Sequence, residues 1–99
     1  MRGEVVTEET AAKLDAIPRE RLFAQFVYSL YGQVLVLLGD LEHPETGKRH
    51  EPSLDQARYL IDVLDVLAEK TKGNLDKEED GMLGAMLSEL KMRHFQKRA

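Results

Sequence analysis

Apolar side chains recur at a helical spacing along three separate stretches of the chain, at about residues 18–38, 54–72 and 77–95. Within each stretch they return every three or four positions, which is the period of an amphipathic α-helix. No stretch alternates apolar and polar residues for long enough to indicate a β-strand. The pattern therefore predicts an all-α fold, an antiparallel three-helix bundle, in a single domain of residues 17–96.

Helix-ending residues separate the three predicted helices. Pro18 suits the first turn of a helix, where its missing N–H group costs nothing. Gly39 and Gly73 follow predicted helices, in the position where glycine commonly adopts the left-handed conformation. The segment between the first two helices, residues 39–52, also contains the sequence Pro-Glu-Thr-Gly, which predicts a tight turn ending at Gly47.

The second and third helices each begin with the spacing of a capping box. Ser53 stands three residues before Gln56, and Asp76 stands three residues before Glu79. In a capping box, the side chain of each of the two residues accepts a hydrogen bond from the backbone N–H of the other. We therefore predict two capped helix starts. Residues 1–16 are either an N-terminal arm or a short helix beginning at Thr7.

The first predicted helix has a very wide apolar face. Its apolar side chains fill an arc of roughly 200°, whereas a surface helix needs little more than about 100°. A helix of this kind requires neighbours on at least two sides, so one small bundle does not cover it. We expect a homo-oligomer, most simply a two-fold dimer. The residues expected in its core or interface are Phe23, Phe26, Val27, Leu30, Tyr31, Val34, Leu35 and Leu38.

Three polar residues follow the remaining stripe of this first helix. Gln25, Ser29 and Gln33 are spaced by four residues. They either form hydrogen bonds across a helix interface and fix its register, or they face solvent. The sequence leaves both interpretations open.

The third predicted helix has a conventional core stripe and an unusual opposite side. The core stripe consists of Leu83, Met86, Leu87, Leu90 and His94. Small residues spaced by three and four allow another helix to come close. The small residues on the opposite side of this helix are either tolerated on an exposed face or form a surface for a protein partner. This candidate partner face consists of Gly81, Gly84, Ala85, Ser88, Met92 and Phe95.

Composition excludes several classes of protein. The 99 residues include no cysteine, so disulfides, thiolate zinc sites and cysteine nucleophiles are excluded. A reducing cytoplasm fits this composition. The N-terminus has no apolar stretch behind Arg2, which argues against a signal peptide. The most apolar segment, residues 22–38, is shorter than the ~20 residues of a membrane span and contains polar positions.

Candidate catalytic and metal-binding groups are sparse. His43, His50 and His94 could supply three zinc ligands, but the first two lie in the predicted loop without helical spacing. Acidic pairs such as Asp62 and Asp65 fall on a charged stripe that we expect to be solvated, without the burial that acid–base catalysis needs. We therefore expect a protein that is not an enzyme and needs no cofactor or metal.

Charge is distributed unevenly within the net charge of −4. Acidic residues open the third helix, at residues 76–80, and would repel DNA from a helix-turn-helix arrangement. Its end instead carries four basic residues and no acidic one. They are either helix-end charges that compensate the helix dipole or a contact for an anionic partner such as RNA or lipid headgroups. This candidate anion contact consists of Lys91, Arg93, Lys97 and Arg98.

Several strings in a fixed order resemble a known family. They are residues 23–30 (FAQFVYSL), 44–48 (PETGK), 54–57 (LDQA), 69–75 (EKTKGNL) and 89–92 (ELKM). Over about residues 22–95 the chain resembles the bacterial family of small helical proteins catalogued as domain of unknown function 1844. The resemblance implies a helical fold and assigns no catalytic residue. Gly81 and Gly84 depart from the stronger helix formers expected there.

Two functions follow from these observations. The first is a non-enzymatic, self-associating helical scaffold or adaptor that binds a protein partner through helix faces. The second is an accessory factor that contacts RNA or an anionic membrane surface through the basic C-terminus.

Overall fold

A computed structural model describes residues 16–98 of the chain. A 3₁₀ turn, Arg19–Arg21, leads into helix α1, Leu22–Leu37. Helix α2 covers Leu54–Lys70 and helix α3 covers Lys77–Arg98. The predicted all-helical class with three helices is confirmed. The N-terminal arm or short helix predicted for residues 1–16 lies, apart from Ala16, outside the described residues.

The observed helix bounds differ from the predicted ones by a few residues. The chain turns as a 3₁₀ helix after Pro18 before α1 begins. Helix α2 ends two residues earlier than predicted, at Lys70, and Gly73 follows with φ of +87°. Helix α3 continues to Arg98, past the predicted end at residue 95. Interactions of its last turn, described below, account for this extension.

The core lies where the three helices meet. Each helix region contributes three buried apolar side chains, spaced by three, four or seven residues along the sequence, so that they share one face of their helix. The buried residues are Val27, Val34, Leu38, Ala57, Ile61, Leu64, Leu83, Leu87 and Leu90. The core stripe predicted for the third helix is confirmed, because Leu83, Leu87 and Leu90 are buried and Met86 packs against them.

The end of α1, the start of α2 and the end of α3 lie together. Backbone N–H of Ser53 donates a hydrogen bond to the carbonyl of Leu37 at 2.8 Å. The imidazole Nε2 of His94 lies 3.1 Å from the carbonyl oxygen of Leu54. His94 therefore has a structural partner at the edge of the core.

Gly39 ends α1 in a Schellman motif. Its N–H donates to Val36 and the N–H of Asp40 donates to Leu35, which satisfies carbonyls left free at the helix end. The left-handed φ of +79° that this motif requires favours glycine. A Cβ atom at this position would also lie 2.8 Å from the carbonyl oxygen of His50. The α1–α2 loop therefore folds back closely on the end of α1.

A short antiparallel bridge closes this loop. Glu42 and Arg49 form the bridge, and the N–H of His43 donates to the carbonyl of Lys48. The predicted turn ends at Gly47, whose φ is +68° and whose N–H donates to the carbonyl of His43. The bridge and these hydrogen bonds hold the α1–α2 loop in a compact conformation beside α1.

The two predicted capping boxes differ. Asp76 and Glu79 form one, since each side chain accepts a hydrogen bond from the other residue's N–H, at 2.7 and 3.0 Å. The prediction for Ser53 and Gln56 is wrong, because Ser53 makes no side-chain capping bond. The backbone of Ser53 is committed to the end of α1 instead, and its φ of −115° and ψ of 85° give the start of α2 a different geometry.

Candidate interaction surface

The outward side of α1 carries no charged residue. Sixteen consecutive residues, Leu22–Leu37, include no Asp, Glu, Lys or Arg, in a chain in which 32% of residues are charged. A surface helix of a globular protein normally carries charged or polar groups on the side away from the core. In α1 the polar groups on that side are all uncharged. The α1 outer face, as we define it, consists of Leu22, Gln25, Phe26, Ser29, Gly32, Gln33 and Val36.

Large apolar groups on this face are exposed. Leu22 is 47% exposed and Phe26 is 53% exposed. An exposed surface without charges is typical of the centre of a protein interface, where charged residues are depleted. The α1 outer face is therefore the candidate interaction surface of this chain.

The face continues into an open groove beside the α1–α2 loop. The groove has a volume of about 590 Å³. Ser29, Gly32, Gln33, Val36 and Leu37 form one wall, and Leu41, His43, Pro44 and His50 form the other. Because the loop is anchored at Gly39 and Ser53, the second wall is held in place by the backbone contacts described above. The lining of the groove is mainly apolar.

The predicted oligomer residues of α1 are divided between two sides of the helix. Val27, Val34 and Leu38 are fully buried in the chain's own core. Four more pack against this core and are half-buried, namely Phe23, Leu30, Tyr31 and Leu35. Only Phe26 belongs to the outer face. The part these residues play in an oligomer stays a prediction.

The polar stripe of Gln25, Ser29 and Gln33 lies on the outer face, and all three side chains are exposed in the single chain. The hydroxyl of Ser29 donates a hydrogen bond to the carbonyl of Phe26 at 2.7 Å. Hydrogen bonding of the stripe to a second chain stays a prediction.

A network of ion pairs joins the end of α3 to the rest of the molecule. Asp40, just after α1, accepts hydrogen bonds from Arg93 at 3.1 Å and from Lys97 at 2.9 Å. Arg93 also pairs with Glu89 at 2.8 Å, and Glu89 accepts a hydrogen bond from the hydroxyl of Tyr31 at 2.9 Å. This network explains why α3 continues past residue 95.

The network shifts the pKa values of its members. Burial would raise the pKa of Asp40, but hydrogen bonds from Lys97 and Arg93 outweigh it and hold that pKa below its usual value. Hydrogen bonds from Arg93 and then Tyr31 lower the pKa of Glu89. Burial, followed by the interaction with Glu89, raises the pKa of Tyr31. The folded state therefore favours both carboxylates in their charged form.

No sequence pattern predicted this network as a whole. The Glu89–Arg93 spacing of four residues on one helix was a visible signal for one of its pairs. The contacts of Asp40 and Tyr31 cross 53 and 58 residues of sequence, and no local pattern specifies them.

The candidate anion contact is largely engaged within the chain. Arg93 and Lys97 belong to the network at Asp40, and Lys91 pairs with Asp65 at 3.3 Å. The guanidinium of Arg98 lies 5.3 Å from the centre of the Phe95 ring, in a cation–π arrangement. Acidic partners from other elements thus compensate three of the four cations.

The candidate partner face of α3 is exposed along its whole length. Met92 and Phe95 are 55% and 62% exposed. A Cβ atom built on Gly81 or Gly84 would meet nothing within 4 Å. Within one chain these glycines therefore have no packing role, and the binding of a partner here stays a prediction.

Candidate chemical groups remain apart from one another. Within residues 16–98, no three His, Cys, Asp or Glu residues come together as a metal site. His43 and His50 line the groove, whereas His94 lies at the core edge. Asp62 pairs with Arg58 at 3.9 Å on an exposed surface. None of the helices that the structure describes combines the length and apolar character needed to cross a bilayer.

Comparison with family models gives a match over residues 20–96, to the domain of unknown function DUF1844. The chain belongs to the DUF1844 family. The match spans α1, the α1–α2 loop, α2 and α3 as far as residue 96, and so includes the α1 outer face and the groove. The resemblance drawn from the sequence strings is confirmed. Comparisons with curated proteins and with solved structures gave no match.

Proposed function

We propose that this member of the DUF1844 family is a non-enzymatic helical scaffold or adaptor of the cytoplasm. In this proposal the chain forms an antiparallel three-helix bundle that a second copy completes, and the dimer presents helix faces to a protein partner. The observation that carries the proposal is the α1 outer face. Sixteen helical residues without a charge, with exposed Leu22 and Phe26, favour burial against another protein surface.

Self-association is tested by the mass of the full chain in solution. We expect sedimentation equilibrium at micromolar concentration to give twice the 11.3 kDa chain mass. Phe26→Ser should weaken the association, because it removes an exposed apolar ring from the α1 outer face. Tyr59→Ser is the matched control, since Tyr59 is an exposed aromatic residue on α2, 67% exposed. A mass of 11.3 kDa at every concentration would refute this proposal.

The partner surface that we propose is the exposed face of α3. Met92 and Phe95 supply large apolar side chains beside the small residues Gly84 and Ser88. A protein captured by the wild-type dimer should be lost with Phe95→Ser and retained with Tyr59→Ser. Equal loss with both variants, or equal capture by both, would count against this face as the partner site.

The alternative function, contact with RNA or an anionic membrane surface, has weaker support. Binding of an anion by Lys91, Arg93 or Lys97 would compete with the ion pairs to Asp40, Asp65 and Glu89. We expect no binding of a mixed-sequence RNA or of phosphatidylserine vesicles at physiological salt. Salt-sensitive binding that disappears with Lys91→Gln and Lys97→Gln would instead support the alternative.

A further inference from the structure

We propose that the second copy docks on the α1 outer face through its own α1, in an antiparallel pair with the two-fold axis at Ser29. The second copy's Phe26 then lies over Gly32, and its Leu22 lies against Val36 and the groove. This inference rests on the proposed self-association and specifies its geometry.

The positions of the α1 outer face lie symmetrically about Ser29 in the sequence. Leu22 and Val36 each lie seven residues from it, Gln25 and Gln33 lie four residues from it, and Phe26 and Gly32 lie three residues from it. A two-fold axis makes one surface patch pair with itself, so that residues at equal distances on opposite sides of the axis meet. In an antiparallel pair, Leu22 therefore meets Val36, Gln25 meets Gln33, and Phe26 meets Gly32.

In this pairing the exposed ring of Phe26 fills the hollow at Gly32, which is the space left by the missing side chain of the glycine. The ring of Phe26 is 53% exposed, and a Cβ atom at Gly32 would have nothing within 4 Å. Gly32 also costs α1 about 1 kcal/mol of helix propensity relative to alanine, and the single chain shows no packing that requires it. Close approach of a second chain would give this glycine a structural reason.

The groove beside the α1–α2 loop extends the complementary contact between the two copies to the C-terminal end of α1. It begins at Ser29 and Gly32 and reaches Val36, Leu41 and Pro44. The antiparallel register brings the second copy's Leu22, 47% exposed, to the Val36 end of this groove. The 44% exposed side chain of Leu41 would be covered by the same contact.

The polar groups of the face suit this register. The hydroxyl of Ser29 already donates to the carbonyl of Phe26, so its donor group needs no partner in the second chain. The side chain of serine is small enough to let two helices approach at the axis. Each side-chain amide of Gln25 and Gln33 both donates and accepts, so the two can bond to each other across the pair.

The absence of charge on this face favours a second copy as its partner, and the side-chain sizes favour an antiparallel over a parallel pair. The face has no charge to attract an oppositely charged partner and none to repel its own copy. A parallel pair would put Phe26 on Phe26 and Gly32 on Gly32, leaving a void where close packing is favoured. The antiparallel register alone fills the hollow at Gly32 twice.

Single-cysteine variants of the full chain test the geometry, because the natural sequence has no cysteine. Ser29→Cys should give a covalent dimer on mild oxidation, since the two copies meet at this position. Ala85→Cys, exposed on α3, is the control and should remain uncrosslinked. A mixture of Gln25→Cys and Gln33→Cys chains should crosslink to each other. Neither should crosslink to itself, because identical positions would lie about 12 Å apart.

The outcomes separate this inference from the proposed function. If sedimentation gives a dimer but Ala85→Cys crosslinks and Ser29→Cys does not, the α1 pairing is refuted while self-association stands. Self-crosslinking of both Gln25→Cys and Gln33→Cys would indicate a parallel pair and also refute the inference. A monomer at every concentration refutes both.

A variant without cysteine provides a second test. Gly32→Leu should leave the monomer folded, because nothing lies within 4 Å of the added Cβ, but it fills the hollow that Phe26 would occupy. We expect the dimer dissociation constant to rise at least about tenfold, through steric conflict in a packed interface. Gly84→Leu is the matched control on α3 and should leave it unchanged. Equal constants for the two variants would refute the pairing.

Discussion

Individual residues matter most in this molecule where the α1–α2 loop meets the end of α1. Gly39 illustrates the point, because two independent constraints fall on it. Its backbone needs a left-handed φ, and the carbonyl of His50 occupies the space beside it. Gly47 has only the first constraint, since nothing lies near its missing side chain. Alanine substitutions at the two positions therefore separate the cost of backbone strain from the cost of steric conflict.

Gly39→Ala should destabilise the chain more than Gly47→Ala. The left-handed conformation costs an L-residue about 1–2 kcal/mol, and both variants incur this cost. Only Gly39→Ala also forces the loop away from α1, because its Cβ would lie 2.8 Å from His50. Urea denaturation of both variants measures the difference. Equal losses of unfolding free energy would show that the loop moves away at little cost.

The carboxylates at Asp40 and Glu89 predict an acid-sensitive fold. Their pKa values are lower in the folded chain than in the unfolded chain, where they are about 3.9 and 4.3. Their stabilising contribution is therefore complete above the unfolded pKa values and is lost as the pH falls through the folded ones. We expect the unfolding free energy to fall below about pH 5.

Asp40→Asn should remove part of this acid dependence and cost about 1–2 kcal/mol at neutral pH, because two charge-assisted hydrogen bonds are weakened. Asp62→Asn is the matched control, since its ion pair with Arg58 is long and exposed and such pairs contribute about 0–1 kcal/mol. Urea denaturation of the two variants between about pH 3 and pH 7, a range that includes the carboxylate pKa values, measures the difference in their unfolding free energies. An unchanged pH profile in Asp40→Asn would contradict the assigned role of the network.

Helix starts are the clearest feature at the scale of elements. The sequence has the same capping spacing before α2 and α3, but the structure uses only the one at Asp76 and Glu79. At the start of α2, the connection of Ser53 to Leu37 sets the backbone geometry. Tertiary contact thus overrides a local signal at one helix and leaves it intact at the other.

Alanine substitutions should reveal this asymmetry. Asp76→Ala should cost about 1 kcal/mol, the usual value of a lost N-cap. Ser53→Ala should cost much less, because its side chain makes no capping bond and its backbone bond to Leu37 is retained. Thermal denaturation followed by circular dichroism measures both. Equal costs would mean that Ser53 caps α2 in solution.

At the scale of the whole molecule, the three helices bury one face of α1 and leave another uncovered. The core takes three side chains from each helix region, and the α1 outer face remains outside it. Proposed self-association would make the stability of the fold depend on a second chain. Folding and association would then be linked by mass action.

The melting temperature should therefore rise with protein concentration. A dimer that dissociates as it unfolds is stabilised by mass action, so a hundredfold increase in concentration should raise the melting temperature by several degrees. Phe26→Ser should remove most of this dependence, and Tyr59→Ser should keep it. A melting temperature independent of concentration in the wild-type chain would contradict linked folding and association.

The sequence by itself determined the helical class, the three helices, the glycine helix ends, the Asp76 capping box and the family. These features depend on periodicity and on residues within a few positions of one another, so local patterns specify them. Only the tertiary structure decided which side of α1 is buried, because its apolar arc is too wide to distinguish the two sides. It also decided that Asp40 engages Arg93 and Lys97, and that the loop and α1 form a groove. These features join residues far apart in sequence, and they arise from packing, which no local pattern encodes.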